Sequence, residues 1–263
     1  MGFFVTATLK KAPLVGAFFV CLSSAVQASC PAPGPLPQVE VARVVDGDTL
    51  RLADGRSVRL IGLNTPELGG GGRAEEPFAV LARRELEARV RASGGRVGLQ
   101  IGAEAKDRYG RALAHVYDNK GANLEAALLG EGLGYFVAQA PNVDLWQCHQ
   151  AAERQARDAG RNLWRAPSVL APDSLAQAGF ALIGARVERV ERNRGGVWLE
   201  FEGPAVLHIA RQHLGRFDAA ELDALVGRRV LARGWVIDRK GAAAGQARWM
   251  LPISHPSMLE LRP

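Results

Sequence analysis

Between residues 39 and 63, apolar positions come in short runs broken by two turn dipeptides. Val39, Val41, Val44 and Val45 lead into Asp46-Gly47, Thr49, Leu50 and Leu52 lead into Asp54-Gly55, and Val58, Leu60 and Ile61 follow. Runs of this length, bounded by Asp-Gly pairs, predict a three-stranded meander. The period then changes. Pro77 stands at a favourable helix start, Leu81, Ala82, Leu86 and Val90 recur at helical spacing, and Gly94-Gly95 closes the pattern, which predicts a helix over 78–91. Val97, Leu99 and Ile101 alternate as a half-buried strand does, and 112–117 is a second strand. Asn123 is placed to cap a short helix over 124–129, and Asp144 to cap a longer one ending near 161.

A similar series begins further on. Strands are predicted at 183–190, with a phase slip between Val187 and Val190 that marks a bulge, and at Val197, Leu199 and Phe201. A third holds Ala205, Leu207 and Ile209. Asp218-Ala219-Ala220-Glu221 matches a capping box and predicts a helix over 219–226, before strands at 228–237 and 247–251. Three strands, a helix and two strands is the order of an OB-fold, a small five-stranded barrel.

The ends and joints differ in composition. Lys10-Lys11, the apolar run 14–22 and Val26-Gln27-Ala28 form the three regions of a secretory signal peptide. The run is too short for a spanning helix, which disfavours the competing reading as a membrane anchor. Cys30 raises a lipoprotein option, but Gln27 stands where a lipobox needs an aliphatic residue. The expected layout is a signal peptide over 1–28, a Pro-rich tether over 29–38, a first domain over 39–165, a linker over 166–177 and a second domain over 178–263. Cleavage would remove Cys21, leaving Cys30 and Cys148. In an oxidising compartment these predict one disulfide, the alternative being two unpaired thiols. The chain is then expected to be periplasmic or secreted, with no stable membrane insertion after cleavage, and monomeric.

Charge adds little. The net charge is +6, with 18 Lys+Arg against 17 Asp+Glu over 38–167 and 13 against 9 over 177–263, so the second part is the more basic. The five histidines show no His-Glu-x-x-His spacing, no Gly-x-Ser-x-Gly is present, and His115 is expected on the outer face of its strand. The glycine-rich stretch 68–74 is a loop but not a P-loop, since no Lys-Ser/Thr follows. Trp198, Trp235 and Trp249 are interleaved with Arg233 and Arg248. They could stack single-stranded bases, but core packing is the expected role of at least two.

The chemistry lies in the first part. Phosphodiester hydrolysis needs oxygen ligands for a hard cation, a base for water and cationic donors for the phosphoryl oxygens. Asp46 and Asp48 at a hairpin turn, then Arg59, Glu67 and Arg111, offer that set. Val45-Asp46-Gly47-Asp48-Thr49, Arg59-Leu60-Ile61-Gly62-Leu63-Asn64-Thr65-Pro66-Glu67 and Asp107-Arg108-Tyr109-Gly110-Arg111 resemble the three motifs of the staphylococcal nuclease (thermonuclease) family. The resemblance spans about 39–165. It implies a five-stranded OB-like barrel with three helices, followed here by a second small OB-like β-barrel, a β-rich α+β architecture.

The resemblance also implies roles. Asp48, Asn64 and Thr65, the last through its carbonyl, would ligate a calcium ion, with Asp46 beside it. Glu67 would be the general base. Arg59 and Arg111 would hold the phosphate and the transition state, and Arg108 and Tyr109 would contact the neighbouring nucleotide. The implied substrates are DNA and/or RNA, cut with little sequence preference to leave 3′-phosphates. The chain departs from the family at Asn64, where Asp is usual, so weaker metal binding is expected. Its loop after Glu67 is shorter, and Tyr135 or Phe136 stands where base-stacking tyrosines follow the second helix. The competing readings are a nucleic-acid binder with a degraded metal site and an envelope module that binds a protein or glycan.

Overall fold

The computed structural model describes residues 1–2, 30–70, 72, 74–242 and 245–262. The expected signal peptide falls almost wholly on 3–29, outside the described residues, and nothing structural is said of it. No helix among the described residues is long and apolar enough to cross a membrane.

The first half builds one barrel. Its strands are β1 (Gln38–Asp46), β2 (Thr49–Leu52), β3 (Ser57–Leu60), β5 (Arg96–Lys106) and β6 (Ala112–Tyr117), joined by a short β4 (Leu63–Asn64) and by α1 (Ala79–Ala92). The sheet closes in the order β1-β2-β3-β6-β5. β3 and β6 pair in parallel and the other neighbours are antiparallel. Leu50, Leu52, Val58, Leu60, Val97, Ala114 and Val116 fill the interior, and α1 contributes Leu86 and Val90. Two further helices follow, α2 (Leu124–Gly130) and α3 (Trp146–Asp158), with β7 (Tyr135–Phe136) between them paired to β4.

The Asn123 cap is present, its side chain accepting from the Ala126 N–H at 2.8 Å. The Asp144 cap is not. α3 opens at Trp146 behind Leu145, with no side-chain cap. Backbone bonds made by Val143 and Trp146 tighten the chain there, so the turn before α3 closes without a capping side chain.

The second half repeats the plan. β9 (Gly179–Asn193), β10 (Gly196–Phe201), β11 (Ala205–Ala210), β12 (Arg229–Asp238) and β13 (Trp249–Ile253), with α4 (Ala219–Asp223) before β12, close in the order β9-β10-β11-β13-β12. Here β11 and β13 pair in parallel. Within the barrel β9 pairs with β12 through 179–186 and with β10 through 187–193. The change of partner coincides with the expected bulge, where Glu200 faces Arg189 but Phe201 faces Val187. Asp218 caps α4 by accepting from the Ala220 and Glu221 N–H groups. The stretch 166–177 is ordered on this barrel. It contains β8 (Val169–Leu170), parallel to β9, and a 3-10 turn at Pro172–Ser174. β14 (Leu259–Leu261) adds to the free side of β12. Two- and three-residue strands carry too little alternation to be seen in a sequence, which is why β4, β7, β8 and β14 were not expected.

The barrels are joined by a buried contact. Arg233 on β12 is fully buried, and its guanidinium donates to both oxygens of Glu153 on α3 at 2.8 and 2.7 Å and to the Phe136 carbonyl at 3.3 Å. Tyr135 stacks on Phe180 of β9 and meets Trp164 edge-on, and Phe180 meets Trp235. Cys30 and Cys148 form the expected disulfide, Cα atoms 5.8 Å apart. The Pro-rich stretch is thereby fastened to α3, and the Ala32 N–H donates to the Gly121 carbonyl.

Candidate active site

The Asp46-Gly47-Asp48 turn joins β1 to β2 at one end of the first barrel. Gly47 is required by packing, since a Cβ there would lie 2.7 Å from the Ala82 Cβ of α1 and 2.7 Å from Thr65 Oγ1. Glycine therefore lets the turn press against α1 and the chain after β4. This brings Asp48, nearly buried, to Thr65, whose backbone N–H donates to Asp48 Oδ2 at 2.9 Å. Thr49 Oγ1 donates to Asp48 Oδ1 at 3.1 Å, and the Asp48 N–H donates to Asp46 Oδ1 at 3.0 Å.

Arg59 ties the cluster together. It lies on β3 opposite Thr49. Its Nη1 sits 2.9 Å from Asp48 Oδ2 and donates to the Leu63 carbonyl at 2.8 Å, while Nη2 donates to Asn64 Oδ1 at 3.2 Å. Asp48, Arg59, Asn64 and Thr65 are thus one hydrogen-bonded unit. Asp46 is pushed up to about 7, first by burial and then by the neighbouring Asp48 carboxylate.

Two carboxylates and an amide oxygen on adjacent turns are oxygen donors, which suit a hard divalent cation rather than a soft one. Burial first and the adjacent Asp48 carboxylate second raise Asp46, and a cation would offset both. The residues therefore fit a calcium-type ion.

Glu67 follows this unit and is exposed. Its backbone N–H donates to Glu76 Oε2 at 3.0 Å and its carbonyl accepts from the Glu76 N–H at 2.9 Å, which closes the loop that holds the glycine-rich stretch. Arg111 stands one residue before β6. Pairing of Val58 with Ala112 and of Arg59 with Leu113 brings the start of β6 beside the arginine-bearing strand. Arg111 Nε lies 2.7 Å from Asp107 Oδ2, an interaction that holds Asp107 below its ordinary value against partial burial. Tyr109 is 69% exposed, with Arg108 and Arg111 guanidinium carbons 4.8 and 5.5 Å from its ring centroid. The expected residues thus fall into a buried acidic unit around Arg59 and an exposed aromatic–arginine loop around Tyr109.

Tyr135 and Phe136 are not available to stack on a base. Tyr135 is held between Trp164 and Phe180, and Phe136 is buried with its carbonyl on Arg233. His115 is also not a surface residue. It is 2% exposed and packs edge-on against His149 at 5.3 Å between ring centroids. Its strand lies beneath α2 and α3, and alternation alone cannot tell a solvated outer face from one covered by helices.

With Glu125, also buried, these histidines bring three potential ligand atoms within 4.8 Å of one another. Their hydrogen bonds describe a structural network instead. Glu125 accepts from the Val116 N–H at 2.9 Å and from Asn123 Nδ2 at 2.6 Å, and His149 Nε2 pairs with Asn123 Oδ1 at 3.0 Å. Burial pushes Glu125 up to about 8 and lowers His115 to about 4 and His149 to about 3. With no cation beside them, all three are therefore uncharged near neutrality.

Fold and site together define an OB-like barrel with acidic and amide oxygens gathered around Arg59 at one end. The family model described as staphylococcal nuclease homologue matches residues 57–166. The thermonuclease of Staphylococcus hyicus is 32% identical over 128 residues, which cover 48% of this chain and 74% of that protein. The thermonuclease of Staphylococcus intermedius is 33% identical over 127 residues, covering 47% and 74%. Endonuclease YhcR of Bacillus subtilis (strain 168) is 30% identical over 135 residues, covering 47% of this chain and 11% of its own length. The chain belongs to the staphylococcal nuclease family. The family-model match ends before the second barrel begins.

Proposed function

We propose that the chain is an exported, calcium-dependent nuclease that cleaves DNA and/or RNA with little sequence preference and leaves 3′-phosphates. Family membership makes it a hydrolase of phosphodiester bonds. The observation that carries the rest is the single hydrogen-bonded unit of Asp48, Arg59, Asn64 and Thr65, with Asp46 crowded against it. In this reading Asp48, Asn64 and the Thr65 carbonyl hold the calcium ion. When bound, the ion neutralises phosphate charge and lowers the pKa of water.

The remaining roles belong to the chain's own groups. Arg59 presents its guanidinium from a fixed position on β3, set by the Leu63 carbonyl, so it grips a phosphoryl oxygen with little loss of side-chain entropy. Glu67, exposed at the mouth of its loop, takes the proton from the attacking water. Arg111 stabilises the charge that develops on the phosphoryl oxygens, and Arg108 and Tyr109 receive the adjacent nucleotide. The domains are taken as 39–165 and 178–263. Export is supported by the Cys30–Cys148 disulfide, a bond of oxidising compartments.

Incubation of the purified mature chain with plasmid DNA and with RNA, with calcium or with chelator, tests this reading. Calcium-stimulated fragments with 3′-phosphate ends are expected. Cleavage indifferent to chelator overturns the metal role. Salt-sensitive binding without cleavage favours a binder, the second reading that Asn64 motivates.

A further inference from the structure

The second barrel carries a ring pair that the chemistry of the first barrel does not use. Trp198 on β10 and His208 on β11 are direct cross-strand partners. Their rings stack with centroids 3.9 Å apart and planes 21° from parallel, and both are only half-buried. The pair is held in place. Trp198 Nε1 donates to Asn193 Oδ1 at 3.1 Å, the Gly195 N–H donates to the same oxygen at 2.8 Å, and His208 Nε2 pairs with the Gly195 carbonyl at 3.2 Å. The loop 193–196 thus clips both rings to the barrel wall. Partial burial and the nearby Arg239 lower His208 below its ordinary value, which favours a neutral ring for stacking.

Positive charge surrounds the pair. The Arg239 guanidinium carbon lies 5.6 Å from the Trp198 ring centroid. Arg194 is in the β9–β10 loop, Arg211 directly follows β11, and Lys240 is beside Arg239 in the β12–β13 loop; all three are exposed. Among the described residues none of Arg194, Arg211 and Lys240 forms an ion pair within 4 Å, whereas Arg189, Arg192 and Arg248 each do. In an OB barrel, strands two and three with the first–second and fourth–fifth loops form the oligonucleotide face. Here those are β10, β11, the 193–196 loop and the start of the β12–β13 loop at Arg239 and Lys240. Among the described residues, the second barrel's side chains in the inter-barrel contact include Phe180, Arg233, Ser254, His255, Met258 and Glu260, none of which lies on β10 or β11.

We propose that this face, centred on Trp198 and His208, is a single-stranded nucleic-acid platform on which a base stacks while Arg194, Arg211, Arg239 and Lys240 attract the backbone. It rests on the nuclease reading only for its biological sense, since it would hold a strand for the first barrel. A rigid aromatic pair beside cations is the combination that binds single strands without sequence preference; Arg239 also donates to Gln246 Oε1. The cations distinguish it from a platform for a neutral glycan, which needs no such charge.

The test is fluorescence anisotropy of a labelled oligothymidylate of about 20 nucleotides with the full chain in chelator, so that binding is read without cleavage. Trp198→Ala is expected to weaken binding roughly 5- to 100-fold, Trp198→Phe to keep most of it, and Arg239→Gln to lower the slope of log affinity against log salt by about one. Wild-type affinity in Trp198→Ala, or wild-type binding unaffected by salt, overturns the platform. Unaltered thermal unfolding of Trp198→Phe guards against simple misfolding. Calcium-dependent hydrolysis of a small phosphodiester, bis-p-nitrophenyl phosphate, should be unchanged in Trp198→Ala. A chain that binds through Trp198 but cleaves nothing removes the nuclease reading and leaves the platform. Intact cleavage with Trp198→Ala binding like wild type removes the platform alone.

Discussion

Arg233 of the second barrel donates through Nη1 to both carboxylate oxygens of Glu153 on α3, and both side chains are at most 1% exposed. The second barrel therefore closes over a carboxylate that belongs to the first. Burial raises the Glu153 pKa and Arg233 pulls it down. A buried pair of this kind adds little net stability, but loss of one partner strands the other without water. Arg233→Met is expected to cost about 3–5 kcal/mol, and Arg233→Met with Glu153→Met much less. Urea unfolding of the two single variants and the double variant measures this. Additive losses would show that the pair is not coupled.

The Cys30–Cys148 bond closes a loop across a sequence separation of 118 residues. The chain-entropy account gives about 5 kcal/mol for a loop of this size. Reduction, or Cys148→Ser, should therefore move the urea midpoint down substantially. An unchanged midpoint with and without reductant would mean that the bond constrains nothing the unfolded chain explores.

Stability should fall as pH rises from 6.5 to 8. The fold holds Glu125 protonated up to about pH 8, while the unfolded chain ionises it near 4.5. The native state thus binds more protons, and this contribution is lost as pH rises. His115 and His149 act in the opposite sense, since the unfolded chain protonates both near 6.5 but the fold resists down to about 4 and 3. Between 4.5 and 6.5 the two histidines are offset by Glu125 and by Asp46, which the fold holds protonated up to about 7; above 7 Glu125 alone of these four still acts. Melting temperature should fall from pH 6.5 to 8, and Glu125→Gln should flatten that decline. A wild-type melting temperature that rises over this interval would contradict the assignment.

Asn64 is the family departure with the clearest consequence. Its Oδ1 accepts from Arg59 Nη2 in the proposed metal unit. Asn64→Asp adds a negative donor without changing shape, so calcium should bind roughly tenfold more tightly. Calorimetric titration of calcium measures it. Equal affinities would show that Asn64 is not a ligand.

Much of this was legible in the sequence because it is local. Asp-Gly turns, period-two runs and the Asn123 and Asp218 caps act within a few residues, and the structure has both barrels, both caps and the bulge opposite Phe201. The joining of Asp48 to Arg59 and Thr65 could be expected only through the family motifs, since spacing does not show which turns a barrel brings together. What was not legible depends on the second barrel or on the covering helices. The burial of Arg233 has no local signal, because its partner is a glutamate 80 residues earlier. Of the three tryptophans, Trp249 is in the core, Trp235 packs on Phe180, and Trp198 keeps part of its ring in solvent. His115 and Tyr135 were misplaced for the same reason: each faces an element distant in sequence.

In the proposed reaction Glu67 activates water for phosphodiester cleavage beside the Asp48–Arg59 unit. The most direct test is the rate of calcium-dependent DNA cleavage by Glu67→Gln, with DNA binding measured in parallel. A loss of at least about 100-fold in rate with binding retained is predicted, the scale of removing a general base. Cleavage within about threefold of wild type would contradict it, because proton transfer of that weight cannot be spared.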